Sequence, residues 1–293
     1  SGCSANSNGG GIYLSQSSQV TTTFKKGEIS GCTSQLGSAI MLTGSGALVL
    51  MDSDVKDCIS GGGTTDNSGG AIRTYGSVNA SLYLTRVNFT GNKAKRNKNW
   101  DNTLAKDANG GALFWNARGR DTTKCVIDGC TFSGNSSEDN GGAIKSQATL
   151  VFRGAQTEIT GNTAPVGAGL YIEGYQGGSG VSGERTINYD LNQYMYIHDN
   201  IAPAYQYGGE TIPGRGAGVH LYFGPEMTLE ANSTINLNMV GARIENNHAG
   251  GRIQSEDGIV SESASAGGLG GGIYFENTSL EEKGYDFNIL LNY

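Results

Sequence analysis

Proline is nearly missing from this chain, at 4 of 293 residues against 48 glycines. A flexible or polyproline linker would show a different balance, so the glycines serve tight β corners. Histidine (3) and tryptophan (2) are scarce. No apolar run approaches the ~20 residues of a membrane span, and direct membrane insertion is not expected of this segment. A basic footprint is lacking too: the net charge is −7, which argues against nucleic acid as a partner. There is no CxxC pair and no Cys/His cluster of zinc type. No Lys-Ser/Thr follows any glycine cluster, so these are not phosphate-binding loops, and no cofactor is expected. Helical periodicity is absent over any useful window.

What the chain has is repetition. Eight times a triplet of Gly, Ala or Ser runs into an aliphatic residue: Gly9 to Ile12, Gly37 to Ile40, Gly69 to Ile72, Gly110 to Leu113, Gly141 to Ile144, Gly167 to Leu170, Gly216 to Val219 and Gly270 to Ile273. The aliphatic positions are 28, 32, 41, 31, 26, 49 and 54 residues apart. A minimum period with variable insertions marks a repeat architecture.

A second pattern interlocks with the first. Apolar-x-x-Asn or apolar-x-x-Cys occurs at Ile29 to Cys32, Val55 to Cys58, Phe89 to Asn92, Phe132 to Asn135, Ile159 to Asn162, Ile197 to Asn200 and Ile244 to Asn247. Ser1-Gly2-Cys3 copies Ser30-Gly31-Cys32, which puts Cys3 in the same slot. Phe24, Leu50, Leu84 and Ile127 each stand eight residues before the slot, so the register is held through four units. Each unit therefore contains two or three short strands punctuated by Gly and Asn turns.

Short strands, corners and a minimum period predict an all-β parallel β-helix of about eight coils. One unit cannot bury its own apolar row, whereas stacked coils can, each strand pairing with its copy ~4.8 Å away. A recurrent Asn at an inward corner is expected to bond backbone groups and the Asn above and below it. Cys fits the same space as a small buried group. The glycine triplet is expected at another corner, where a Cβ would strike the neighbouring coil. The economical reading of both motifs is that they build the scaffold.

The tandem pattern resembles the repeat of the polymorphic outer-membrane proteins, named for chlamydial surface proteins, whose signature pairs GGA[ILV] with FxxN. The residues that carry the likeness are Gly69-Gly70-Ala71-Ile72, Gly110-Gly111-Ala112-Leu113, Gly141-Gly142-Ala143-Ile144, Phe89-Thr90-Gly91-Asn92 and Phe132-Ser133-Gly134-Asn135. The other copies are degenerate. The resemblance implies a right-handed β-helix displayed outside a cell, commonly in adhesion, and transfers no catalytic residue. A chlamydial-type protein would also carry a C-terminal membrane barrel, which nothing here resembles, so the wider repeat class is the expectation. The chain reads as a single repeat domain over 1–293, a piece of a longer chain or a unit whose ends neighbours cover.

Five cysteines is an odd number, so at least one is free or bonded to another chain. Cys3, Cys32 and Cys58 stack in one slot within disulfide reach but with poor side-chain geometry. Cys125 aligns with Leu48 and Leu82 and should pack inward, whereas Cys130 occupies a variable position expected to be exposed. His198 and His248 flank slot corners and are expected to be exposed as well. Five N-x-S/T sequons are close to what chance gives in so Asn- and Ser-rich a chain.

Function is expected in the insertions, which should line one edge of the tube. Those between slot and triplet are 59–68, 93–109, 201–215 and 248–269, and another corner carries 173–194 and 223–239. Lys93, Lys95, Arg96, Lys98 and Lys106 surround Trp100 in one loop, and Tyr205, Tyr207 and Arg215 populate the next long one. Exposed aromatics with Arg or Lys suit sugar rings or protein hot spots. The expectation is a non-enzymatic extracellular surface or adhesin-like stalk. Its partner would be a host or neighbouring-cell surface protein or glycan, with end-to-end self-association into filaments a further option. The rival is a glycan-processing lyase or hydrolase on the same scaffold, since such sites assemble from non-contiguous coils. A carboxylate pair above an insertion-walled groove would favour that rival.

Overall fold

The computed structural model describes residues 1–16, 20–61, 68–74, 79–96, 108–117, 123–174, 186–207, 209–223, 234–255, 260–263, 266–277 and 286–290. Among them every regular element is a β-strand.

The aliphatic residue after each triplet opens a strand and stacks on its own kind. Ile12, Ile40, Ile72, Leu113, Ile144, Leu170, Val219 and Ile273 are Cα partners in succession, all in parallel pairings. They form the first face of the tube. The second face continues the sequence register: Phe24 pairs with Leu50, Leu50 with Leu84, Leu84 with Ile127 and Ile127 with Phe152. A third face stacks Ile29, Val55, Phe89, Phe132, Ile159, Ile197 and Ile244. In two coils single long strands, Ile40–Lys56 and Asn79–Thr90, bend from one face to the next at Asp52 and Arg86, whose left-handed backbone interrupts the pairing for one residue. The chain is a parallel β-helix.

Alternation fills the tube. Ile40, Leu50, Val55, Ile72, Leu84, Phe89, Leu113, Phe132 and Ile144 are fully buried in one continuous core. Each such side chain contributes roughly 1.5–3 kcal/mol by leaving water. Phe89 and Phe132 stack ring on ring at 4.6 Å, which is the coil spacing expressed in side chains.

Two corners carry the special backbone. The residue before each slot sits in the left-handed region: Gly2, Gly31, Asp57, Gly91, Gly134, Gly161, Asp199 and Asn246. Only Gly, or the locally hydrogen-bonding Asp and Asn, adopts that conformation readily. At the triplet corner the backbone of adjacent coils nearly touches. A Cβ on Gly142 would lie 2.4 Å from the Ala168 carbonyl oxygen, and one on Gly111 would lie 2.3 Å from that of Gly142.

Several expectations are corrected here. Cys130 is 1 % exposed; its Sγ accepts from the Val87 amide at 3.5 Å, and its amide donates to the Thr157 hydroxyl at 3.1 Å. Ser53 receives the Gly27 amide in the same way, so a second polar row lines the corner between the second and third faces. Mixed residue types hid it from sequence comparison. Strands Thr186–Asp190 and Thr234–Asn238 lie inside the insertions assigned to 173–194 and 223–239 and belong to the second face. All five cysteines are free thiols. Cys125 is buried beside Leu82, as its alignment requires.

Candidate functional site: the insertion edge

The slot corner is the reference against which the insertion edge is measured. Asn135 shows its chemistry in full. Its Oδ1 accepts from the Asn92 amide at 3.0 Å and from Asn92 Nδ2 at 2.9 Å. Its Nδ2 donates to the Phe89 carbonyl and to Asn162 Oδ1, both at 3.0 Å. Asn162 and Asn200 repeat the pattern onto Asn200 and Asn247. Asn92, Asn135, Asn162 and Asn200 are fully buried with their amide groups satisfied. Cys58 meets the ladder through its backbone amide, bonded to Asn92 Oδ1 at 3.1 Å, while its thiol faces the Lys56 carbonyl at 3.3 Å and the Ile29 carbonyl at 3.8 Å. Burial pushes that thiol up to about 12. Cys32 is buried one coil earlier and Cys3 is exposed.

Just past the slot, the chain makes one more rung before it leaves the tube. Thr33–Ser34, Ile59–Ser60, Lys93–Ala94 and Ser136–Ser137 pair in parallel, so Lys93 begins not a loop but a scaffold strand. Arg96 follows and is buried. Its guanidinium bonds Asp139 Oδ1, with Nε at 2.8 Å, and reaches the Glu138 carbonyl at 3.2 Å. Its backbone amide donates to Glu138 Oε2 at 2.8 Å. Asp139 Oδ2 also receives the Ala108 amide at 2.7 Å. Arg96 therefore fastens one insertion to the next coil and is not an open binding cation. Lys98, Trp100 and Lys106 lie outside the described residues.

The later insertions build a sheet of their own. Ile201–Tyr207 turns back antiparallel to Glu210–Ile212, and His248–Gln254 turns back antiparallel to Val260–Glu262. The two hairpins join through Ile201–Tyr207 and His248–Gln254 in parallel. Gln254 Nε2 donates to the Glu138 carbonyl at 2.8 Å, a contact spanning 116 residues, so the second hairpin leans back across earlier coils. Tyr205 is half-buried in this sheet, its hydroxyl shifted upward by burial, with Arg215, Asp139 and Arg96 shaping the field around it. Tyr207 ends its strand opposite Glu210. Arg215 lies in Gly214–Arg215 and reaches Glu276 Oε2 at 3.3 Å.

Between hairpin and tube lies a cleft of about 550 Å³. Its floor is Lys93, Lys95, Ser136, Ser137 and Thr163; its far wall is Arg252, Gln254, Ser261 and Glu262. Ala94 and Val260 are the apolar members of the lining. Glu138 also lines it, its carboxyl raised by burial against the pull of Arg96. Arg252 and Glu262 pair with each other at 3.0 Å. Lys93 forms no ion pair among the described residues.

Two clusters elsewhere escaped the sequence reading. His198 is not freely exposed: it stacks on Tyr196 at 4.2 Å, with Nε2 2.8 Å from Glu158 and Nδ1 2.7 Å from Asp199. Its basicity is raised by these two carboxylates against desolvation, the largest single influence. His248, the other flanking histidine, is exposed. On the outside of the first face a column runs Arg73, Phe114, Lys145, Tyr171, His220, Tyr274, each the Cα partner of the next. Lys145 bonds Glu173 at 2.7 Å with both side chains nearly inaccessible, and burial lowers His220 to about 3. The signal was present: these are the residues directly after each stacked aliphatic. Among the described residues no group of three or more His, Cys, Asp or Glu could hold a metal ion.

Comparison with known proteins falls on the scaffold rather than the edge. No curated protein and no solved structure matches the chain. One stretch, residues 129–147, which holds both Phe132 to Asn135 and Gly141 to Ile144, matches the Chlamydia polymorphic membrane protein repeat.

Proposed function

We propose that this β-helix is a non-enzymatic, extracellular surface scaffold of adhesin type, which presents its insertion edge to a protein or glycan on a neighbouring or host cell. The observation that carries the reading is the division of labour within each coil. The slot and triplet corners are spent on coil-to-coil bonding, while chain length varies at the corner where the hairpins and the cleft stand. The repeat at 129–147, described for an outer-membrane protein family, supports a cell-surface location.

The test is adhesion of cells to the immobilised chain, with a Lys93→Glu, Arg252→Glu double variant beside it. Both side chains are on the surface of the cleft, so the melting temperature should hold within ~1 °C while adhesion falls several-fold. Surface changes away from buried features are usually within ~0.5 kcal/mol. Undiminished adhesion by the variant would place the binding surface elsewhere.

Glycan processing is the second reading, because Glu138 and Glu262 both line the cleft. Against it, Glu262 is engaged with Arg252, and Glu138 Oε2 already accepts the Arg96 amide. Release of new sugar ends from polysaccharides, abolished in Glu138→Gln, would favour the enzyme.

A further inference from the structure

The geometry points to a specific ligand class for the cleft: a small carboxylate-bearing sugar, such as a uronic acid or a short oligosaccharide ending in one. This rests on the reading of the insertion edge as a binding surface, and narrows it to one site.

The floor sets the chemistry. Lys93 is the Cα partner of Ser136, and Ser136 of Thr163, in three successive coils. An ammonium and two hydroxyls therefore stand in a row at ~4.8 Å intervals, comparable with the span of a pyranose ring. Ser261 adds a hydroxyl from the opposite wall, and a volume of about 550 Å³ is within the usual ~300–1,000 Å³ of a ligand site. With Ala94 and Val260 as its apolar lining, the cleft offers little to seat a lipid chain or a peptide's hydrophobic anchor.

Backbone donors in the floor are already spent. The amides of Lys93, Lys95, Ser136, Ser137, Glu138 and Thr163 all donate to carbonyls of neighbouring coils. No nest of free amides remains to cradle a phosphate, so recognition falls to side chains. Arg252 is neutralised by Glu262, and Glu138 is held by Arg96. Lys95 is engaged and acts on Glu138, and among the described residues Lys93 is the cation of the floor that has no ion pair. On a chain of net charge −7, such a lysine is a local attractor for an anion. A sugar carboxylate on Lys93, with ring hydroxyls on Ser136 and Thr163, uses every open donor of that row.

The probes are methyl glucuronoside, methyl glucoside and inorganic phosphate, each titrated against the full chain by ligand-observed NMR. Glucuronoside should bind at least about fivefold more tightly than glucoside, the effect of one exposed charge contact. Lys93→Gln should remove that preference, Lys93→Arg should restore it, and added salt should weaken it. Unchanged melting temperatures in both variants separate lost binding from lost fold. Equal binding of the two glycosides, absence of binding, or competition by phosphate at matched concentration would each overturn the assignment. If cells still adhere to the wild-type chain while glucuronoside fails to bind, the ligand class falls and the surface function stands. If neither occurs, both fall.

Discussion

At the slot corner, coils separated by 43, 27, 38 and 47 residues meet through side-chain bonds of 2.9–3.0 Å. At the insertion corner the connections after Asn200 and Asn247 build instead hairpins, a four-stranded sheet and a cleft. Geometry is conserved from coil to coil at one corner and invented afresh at the other. The contrast shows where change is tolerated. An interior Asn must serve two neighbours at once, whereas an insertion answers only to its own contacts.

The sharpest test of the ladder side is Asn162→Leu. It strands the Asn135 amide, one of the two Asn135 Nδ2 hydrogens and the Phe132 carbonyl in a buried corner. At about 1–3 kcal/mol for each stranded group, the total loss should exceed about 3 kcal/mol in urea denaturation. A silent substitution would mean the ladder is decoration.

On the insertion side the counterpart is Arg96→Ala, which leaves Asp139 half-paired and the Glu138 carbonyl held by Gln254 alone. The ion pair is largely but not fully removed from water, so about 2 kcal/mol is expected, below the full cost for a buried pair. Hydrogen exchange should then speed up around Ala108 and the hairpin resting on Glu138, while the Asn135 and Asn162 amides stay protected. Equal loss of protection at both corners would erase the distinction.

The smallest effect is expected from Cys58→Asn. An Asn there can accept the Cys32 amide and donate to Asn92 Oδ1 and to the Ile29 carbonyl that the thiol now faces at 3.8 Å. Stability should stay within about 1 kcal/mol of the parent. A loss larger than that would show that the early coils are shaped around sulfur.

The same contrast explains how far the sequence could be read. Slot, triplet and core rows were legible because stacking puts like residues on like, so register appears as spacing: Phe24, Leu50, Leu84 and Ile127 needed only counting. The fastening of Arg96 was not legible, because Asp139 is 43 residues away in the short connection of another coil and no second copy of the pair occurs among the described residues. The joined hairpins were hidden for the same reason: Ile201–Tyr207 and His248–Gln254 share no motif, and their pairing includes a register shift between Ala202 and Ala204. Cys130 was misplaced because its row mixes Ser, Val, Cys and Thr: Ser53, Cys130 and Thr157 accept the preceding coil's amide by different atoms, and Val87 has no acceptor at all.

The ladder also has a direction. Asn92 gives its amide hydrogen to Asn135, Asn135 to Asn162, Asn162 to Asn200 and Asn200 to Asn247, never the reverse. A coil bearing an Asn slot therefore consumes one set of donors on its leading side and supplies one on its trailing side. Such a coil is a self-balancing module: a duplicate copied in between any two of these rungs leaves every amide satisfied, whatever the length of its outer loop. Duplication among the Cys-slotted coils has no such balance. Lengthening of this tube by gene duplication is thus chemically neutral between Asn92 and Asn247, and each added coil brings a fresh insertion site at its outer edge.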